Sequence, residues 1–323
     1  MVAFGSFTFD DQIPGSVLVI PSVTIEQRGG SRQVIAPGGS SWEDGGAELD
    51  ANFEVRYAGS SVSELDWLDA VAGVVKTIQG TSLDKVVLAR DIHIWSKTPF
   101  HVPTILHRLQ QRFPECYTFA VDGFLGATPE LLVGKRGDRV HSLVLAGTAP
   151  RATDPEQDEA IGKALLGSAK DLDEHAPAVA SVVDVLGGIT EGLRVGEPHL
   201  LKLANVQHIA TSVEAAVDPS VSVLDIVAAL HPTAAVCGTP TDLALETIRS
   251  VEGLDRGRYA GPVGWIDQAG DGEWGIALRC AEIDGTRGRL FSGAGIVSAS
   301  EPEAELEETR IKFHAMMSAL EVS

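Results

Sequence analysis

The chain has 323 residues, 44% of them hydrophobic and 22% charged, which is enough apolar side chain for a sizeable core and not the composition of a disordered polymer. Length alone suggests about two domains. A formal net charge of −20 argues against nucleic acid as a partner class, because phosphate binding needs a basic surface, and leaves any anionic substrate to a few placed cations or a metal ion.

The opening "MVAFGSFTFDDQIPGSVLVIPSV" has neither a basic n-region nor a continuous apolar h-region, so no signal peptide is expected. The longest apolar stretch, 213–238, is broken by Glu214, Asp218, Pro219, Asp225 and Pro232, so no membrane span is expected either. Cys116, Cys237 and Cys280 show no paired spacing and read as small buried hydrophobes of a cytoplasmic protein. The first eighty residues carry little legible chemistry, and the Gly-rich patch at 28–46 reads as a mobile loop.

From residue 84 the elements come in blocks. The β-branched "DKVVLARDIHIW" (84–95) predicts a strand, followed by strands in "CYTFAVD", "ELLVGKRG" and "RVHSLVLAG", with a hairpin turn at Gly137-Asp138. Residues 153–186 predict one helix with Asp154 as N-cap and Pro155 at the first helical position. A strand at 207–217 and helices at 222–231 and 241–253 come next. Two hairpins follow, turning at 270–272 and near Gly285, and the chain ends in a helix over 301–320. Antiparallel clusters separated by helical blocks predict an α+β fold rather than a doubly wound parallel sheet.

The terminal helix opens with five glutamates in eight residues, 301–308. Ser300 and Glu303 have the spacing of a capping box. At about 100° per residue the side chains fall into three stripes. Leu306, Phe313, Met316, Met317 and Leu320 form the buried one, and Glu303, Glu307 and Arg310 face solvent. Glu301, Glu305, Glu308 and Lys312 form a third stripe at the rim of the core. The spacing alone leaves two readings open. One is a surface Glu308–Lys312 pair worth ~0.3–0.5 kcal/mol. The other is a carboxylate edge for a hard divalent cation beside a lysine for an anionic substrate.

Ten stretches elsewhere bear on the choice. "KVVLARD" (85–91), "FLGATPELLV" (124–133), "LAGTAPR" (145–151), "SAKDLDEH" (168–175), "QHIAT" (207–211), "LHPTAAVCGTPTDLA" (230–244), "DRGRYAGPVGWID" (255–267), "GEWGIALRCAEI" (272–283), "LFSGAGIVSASEPEAELEET" (290–309) and "RIK" (310–312) occur in this order. In them the chain resembles the chorismate-utilising enzymes, most specifically the isochorismate synthases. The resemblance implies one large chorismate-binding domain over 1–323, similar to anthranilate synthase component I. It would have two layers of mainly antiparallel sheet with helices packed outside. Residues 85–312 would form its motif-bearing core, and 1–80 match only weakly.

The resemblance also implies roles. Lys85 matches the base that activates water, which requires a neutral amine. Glu130 matches the general acid, which keeps its proton through burial. Glu174, Glu305 and Glu308 match ligands of a Mg²⁺ ion. Arg279 and Lys312 match carboxylate-binding positions, the first as a planar fork and the second as a point charge. Gly147, Gly293 and Gly295 match turns that let backbone approach the substrate, and His208, Ala235 and Val236 match the ring pocket. Local sequence alone favours a solvated strand-end lysine at Lys85, and reads Glu130 equally as an edge glutamate and His208 equally as a satisfied core histidine.

Lys85 argues for water rather than ammonia as nucleophile. The apolar Ala235-Val236 pair, where salicylate synthases place a threonine, argues for isochorismate as end product. Salicylate synthase and a non-catalytic chorismate- or metal-binding relative are the alternatives. Three features depart from the family pattern: Ala234 replaces a proline, Leu172-Asp173 replaces Arg-His, and the chain ahead of residue 85 is short. The family permits a monomer or a weak homo-oligomer.

Overall fold

The computed structural model describes residues 1–28, 30–36, 49, 52–204 and 206–320, apart from the side chains of Arg28, Lys170 and Glu174. The N-terminal part supplies β1 (Val2–Ser6), β2 (Val17–Val19), β3 (Thr24–Arg28), β4 (Ser31–Ile35), β5 (Arg56–Gly59) and α1 (Glu64–Gly80). Next come β6 (Lys85–Trp95), α2 (Val102–Arg112), β7 (Tyr117–Val121), β8 (Phe124–Thr128), β9 (Leu131–Arg136) and β10 (Arg139–Pro150). The middle holds α3 (Pro155–Leu166), α4 (Ala169–Ile189), β11 (Glu191–Val195), β12 (His199–Lys202), β13 (Val206–Ala216) and α5 (Val223–Leu230). The C-terminal part adds β14 (Gly238–Thr239), α6 (Thr241–Val251), β15 (Pro262–Asp267), β16 (Gly272–Ile276), β17 (Cys280–Asp284), β18 (Arg287–Val297) and α7 (Pro302–Leu320).

Among the described residues the strands form two large antiparallel sheets and a β3–β4 hairpin. The nine-stranded sheet runs β11-β13-β10-β9-β16-β15-β1-β2, with β12 also on β13. The seven-stranded sheet runs β14-β6-β18-β17-β8-β7, with β5 also on β6. The larger apolar core draws on both, joining Val86 and Ile296 to Val133, Val144 and Trp274. A second core lies where α2 and α7 cover the seven-stranded sheet, around Ile105, Leu109, Leu125, Leu290, Phe313 and Met316. Each large side chain buried there contributes roughly 1.5–3 kcal/mol. This is the α+β arrangement expected, and β6, β8, β9 and β13 are buried along continuous runs, as strands covered on both faces are.

Several expectations need correction. The helix expected over 153–186 is two, because the chain turns at Gly167 and Ser168 restarts it by accepting the Asp171 N–H at 3.2 Å. Ser168 thus acts as a second N-cap inside the stretch. The capping box at Ser300 does not form. Ser300 Oγ instead accepts the Val297 N–H at 3.1 Å, and the helix begins with Pro302 at its first position. On α7 Met317 is only half-buried, and the buried stripe instead includes Thr309, whose hydroxyl accepts from Arg90 Nη1 at 3.0 Å. Most of the Gly-rich patch lies outside the described residues, while its start forms the β3–β4 hairpin. Cys237 and Cys280 are buried as expected, but Cys116 is only half-buried; all three are reduced. Among the described residues no helix is long and apolar enough to cross a membrane.

Candidate active site

One cavity of about 420 Å³ is walled by β6, β18, the end of β8, the β10–β13 pair and α7. It collects twelve of the thirteen residues that the sequence nominated: Lys85, Glu130, Gly147, His208, Ala235, Val236, Arg279, Gly293, Gly295, Glu305, Glu308 and Lys312 all line it. The Glu174 side chain lies outside those described.

Lys85 starts β6 and pairs with Thr239 on one side and Val297 on the other. Its side chain lies across Gly295, where an added Cβ would come within 2.8 Å of Lys85 Cε. The glycine leaves room for the lysine in this position, and a larger residue would push the Lys85 side chain aside.

Glu130 sits at the break between β8 and β9, where its N–H donates to Thr128 Oγ1 at 3.2 Å and its C=O accepts the Ile276 N–H at 3.1 Å. Both backbone groups are thus tied into the sheet, and the side chain is buried at the cavity wall. Burial pushes its carboxyl up to about 7, although the positive charges of Arg279, Lys85 and Lys312 oppose the shift.

His208 is buried on β13, opposite a bulge in β10 where the register shifts between Ala146 and Thr148. Gly147 forms the bulge at φ +75°, a left-handed conformation that favours glycine. The bulge places the Gly147 carbonyl 3.2 Å from His208 Nδ1. A carbonyl only accepts, so Nδ1 carries the proton and Nε2 presents its lone pair. That Nε2 is buried and has no partner among the described residues. Burial and the nearby Arg279 charge bring the imidazole down to about 3, so it is neutral at any working pH.

Arg279 follows β16 with φ +49°, a strained region for a side-chain-bearing residue. Its carbonyl accepts the Ala127 N–H at 3.2 Å, which holds that conformation in the sheet.

All four members of the third α7 stripe face the cavity. Lys312 Nζ donates to Glu308 Oε1 at 2.5 Å and to the Gly293 carbonyl at 2.9 Å. Burial raises the Glu308 pKa, but the Lys312 charge and hydrogen bond, with Arg279 and Lys85, more than reverse this and hold the carboxyl below its usual range. Glu303 and Glu307 are exposed, as the helical phase indicates.

The sequence reading missed Asp171 and Tyr259, which also line the cavity. Asp171 lies one helical turn before Glu174, a spacing that signals a shared face. Tyr259 sits in the quoted "DRGRYAGPVGWID" and stacks on Phe291 with 5.2 Å between ring centroids.

Among the described residues no three His, Cys, Asp or Glu side chains converge as a ready cation cage. Ionised Glu308 offers hard oxygen donors on the cavity wall, and Glu305 and Asp171 line the same cavity without closing a three-carboxylate cage among the described residues. Such donors suit Mg²⁺, which takes one or two protein carboxylates and completes its shell with water and ligand oxygens.

The family model described as chorismate binding enzyme matches residues 45–321. The isochorismate synthase DhbC of Bacillus subtilis is 40% identical over 324 residues, covering 94% of this chain and 81% of the relative. Among solved structures, a putative 2,3-dihydroxybenzoate-specific isochorismate synthase, DhbC from Bacillus anthracis, superposes with a TM-score of 0.85 at 33% identity, over 99% of this chain and 83% of that one. MenF, the menaquinone-specific isochorismate synthase from Escherichia coli, gives 0.88 at 27% identity, over 99% and 79%. With cavity, fold and sequence in agreement, the chain belongs to the chorismate-binding enzyme family.

Proposed function

We propose that this chain is an isochorismate synthase, an isomerase that moves the hydroxyl of chorismate from C4 to C2. The observation that carries the reading is Lys85 and Glu130 lining one cavity, with the Glu130 carboxyl pushed to about 7 and so available as an acid.

Lys85, which carries positive charge in the ligand-free site, first gives up its proton; as the free amine it then takes a proton from water as the water oxygen bonds to C2. The ring double bonds shift, the C4–O bond breaks, and Glu130 protonates the departing hydroxyl so that it leaves as water. One water is added and one lost, and the substrate is isomerised without net change in composition. Lys85 ends protonated and Glu130 ionised, so a proton must pass back through solvent before the next turnover. Arg279 and Lys312 supply positive charge for the substrate's two carboxylates. Neutral His208 offers its Nε2 lone pair to a substrate hydroxyl, a role a protonated imidazole lacks. Mg²⁺ held by Glu308, with Glu305 and Asp171 as direct or water-mediated partners, would neutralise carboxylate charge as a Lewis acid.

The protein incubated with chorismate and Mg²⁺, its products resolved by chromatography, tests this. Isochorismate alone is expected; salicylate with pyruvate would make it a salicylate synthase, and no product at all would leave a binding protein.

A further inference from the structure

Val87 on β6 and Val236 ahead of β14 form part of the cavity wall, and one buried side chain holds both backbones. Along residues 236–239 the chain zips against β6: Val87 N–H donates to Cys237 O at 2.8 Å, and Gly238 and Thr239 pair with Val86 and Lys85. The ladder stops at Val236, where the next carbonyl lacks a strand partner. Arg256 supplies the donor, giving Nη1 to Val236 O at 3.0 Å and Nη2 to Val87 O at 2.7 Å.

Glu252 fixes that guanidinium. Arg256 Nε and Nη2 donate to its two carboxylate oxygens at 2.7 and 2.6 Å, and Glu252 Oε2 also accepts the Ala89 N–H at 2.7 Å. Phe9 covers the guanidinium at 4.1 Å, so the N-terminal segment closes the site from behind. Arg256 and Glu252 are both buried and neither lines the cavity.

A buried ion pair stabilises a fold little more than an apolar pair of the same volume, because desolvation offsets the attraction. An apolar pair, however, cannot fix two carbonyls and an amide from separate segments. We propose that Arg256, oriented by Glu252, is a positioning residue that sets the gap between β6 and the Ala235–Val236 wall, and with it the fit of the substrate ring. This rests on the chorismate reading of the site.

The test uses the double variant Arg256→Met/Glu252→Gln, which leaves no uncompensated buried charge, and the single variant Arg256→Lys, which keeps the charge. Amide hydrogen exchange over 85–89 and 236–239 reads the clamp directly, and chorismate kinetics reads its consequence. The double variant should exchange faster in those two segments while other core amides hold. Its KM for chorismate should rise ~10-fold with kcat within ~3-fold, the pattern of lost uniform binding. Arg256→Lys should fall between it and the wild type. Wild-type exchange and KM in the double variant would overturn the proposal, and so would slower turnover with neither segment loosened. Should the double variant not fold, a wild-type KM in Arg256→Lys overturns it equally. If the wild-type protein turns over no chorismate, the activity reading fails, and the exchange measurement alone judges the clamp.

Discussion

The strand side and the helix side of the cavity hold the same residue type in opposite charge states. On the strand side burial dominates: Glu130 is pushed to about 7 and His208 down to about 3, so both favour their neutral forms near pH 6. On the helix side burial acts on Glu308 in the same sense and loses, because Lys312 donates to it directly at 2.5 Å. Glu130 feels Lys312 only through space. A cation in hydrogen-bond contact outweighs desolvation, and the same cation across the cavity does not. One site thereby holds a carboxylic acid and a carboxylate together, the division of labour that a proton donor and a cation ligand require.

The strand side is the one whose loss should cost most. Lys85→Ala removes the proposed base, and turnover should fall by ~10²–10⁴-fold while chorismate binding, followed by calorimetry, stays measurable. Near-normal turnover would remove Lys85 from that role. Glu130→Gln should lower kcat by a similar ~10²-fold or more, and it carries a sign that separates charge from shape. The acid must be protonated, so wild-type kcat/KM should fall as pH rises through about 7.

Stability gives the converse. The folded pKa of Glu130 lies above its unfolded value of 4.5, so the folded state binds the extra proton between those two values. Wild-type stability therefore declines as pH rises from 4.5 to about 7, by up to about 3 kcal/mol. Glu130→Gln should abolish that decline and melt at higher temperature than wild type at pH 8, despite its lower kcat. Equal melting temperatures at pH 8 would show that the carboxyl is not held in its neutral form.

Much of this contrast was legible before the structure. Helical phase separated Glu305 and Glu308 from Glu303 and Glu307, because a period of 3.6 assigns faces without knowing what they face. It offered the Glu308–Lys312 pair as one reading, but it could not show Lys312 also donating to the Gly293 carbonyl, which depends on α7 packing against β18. The strand at 84–95 was legible from its β-branched content, whereas the break within 153–186 went unread although Gly167, favoured past a helix end, and Ser168, a preferred N-cap, both signal it. The first eighty residues looked silent because their contribution is made at long range: Phe9 acts by covering Arg256, almost 250 positions on. Asp171 was missed although its spacing from Glu174 was visible, because the charge of "KDLDEH" alone does not say which turn faces inward.

The helix side should yield smaller, conditional effects. Glu308→Gln keeps shape and a hydrogen-bond acceptor for Lys312 but removes the charge that a cation needs. The Mg²⁺ concentration for half-maximal activity should rise ~10-fold or more, with direct Mg²⁺ binding by calorimetry weakened in parallel. Glu307→Gln, one residue away and exposed, should leave both unchanged and shift stability by less than about 0.5 kcal/mol. An unchanged magnesium titration in Glu308→Gln, or an equal shift in both variants, would mean that the acidic run acts only as a diffuse field. A shift in Glu308→Gln alone would fix the effect to the inward stripe of α7, because neighbours on one helix share net charge but not direction.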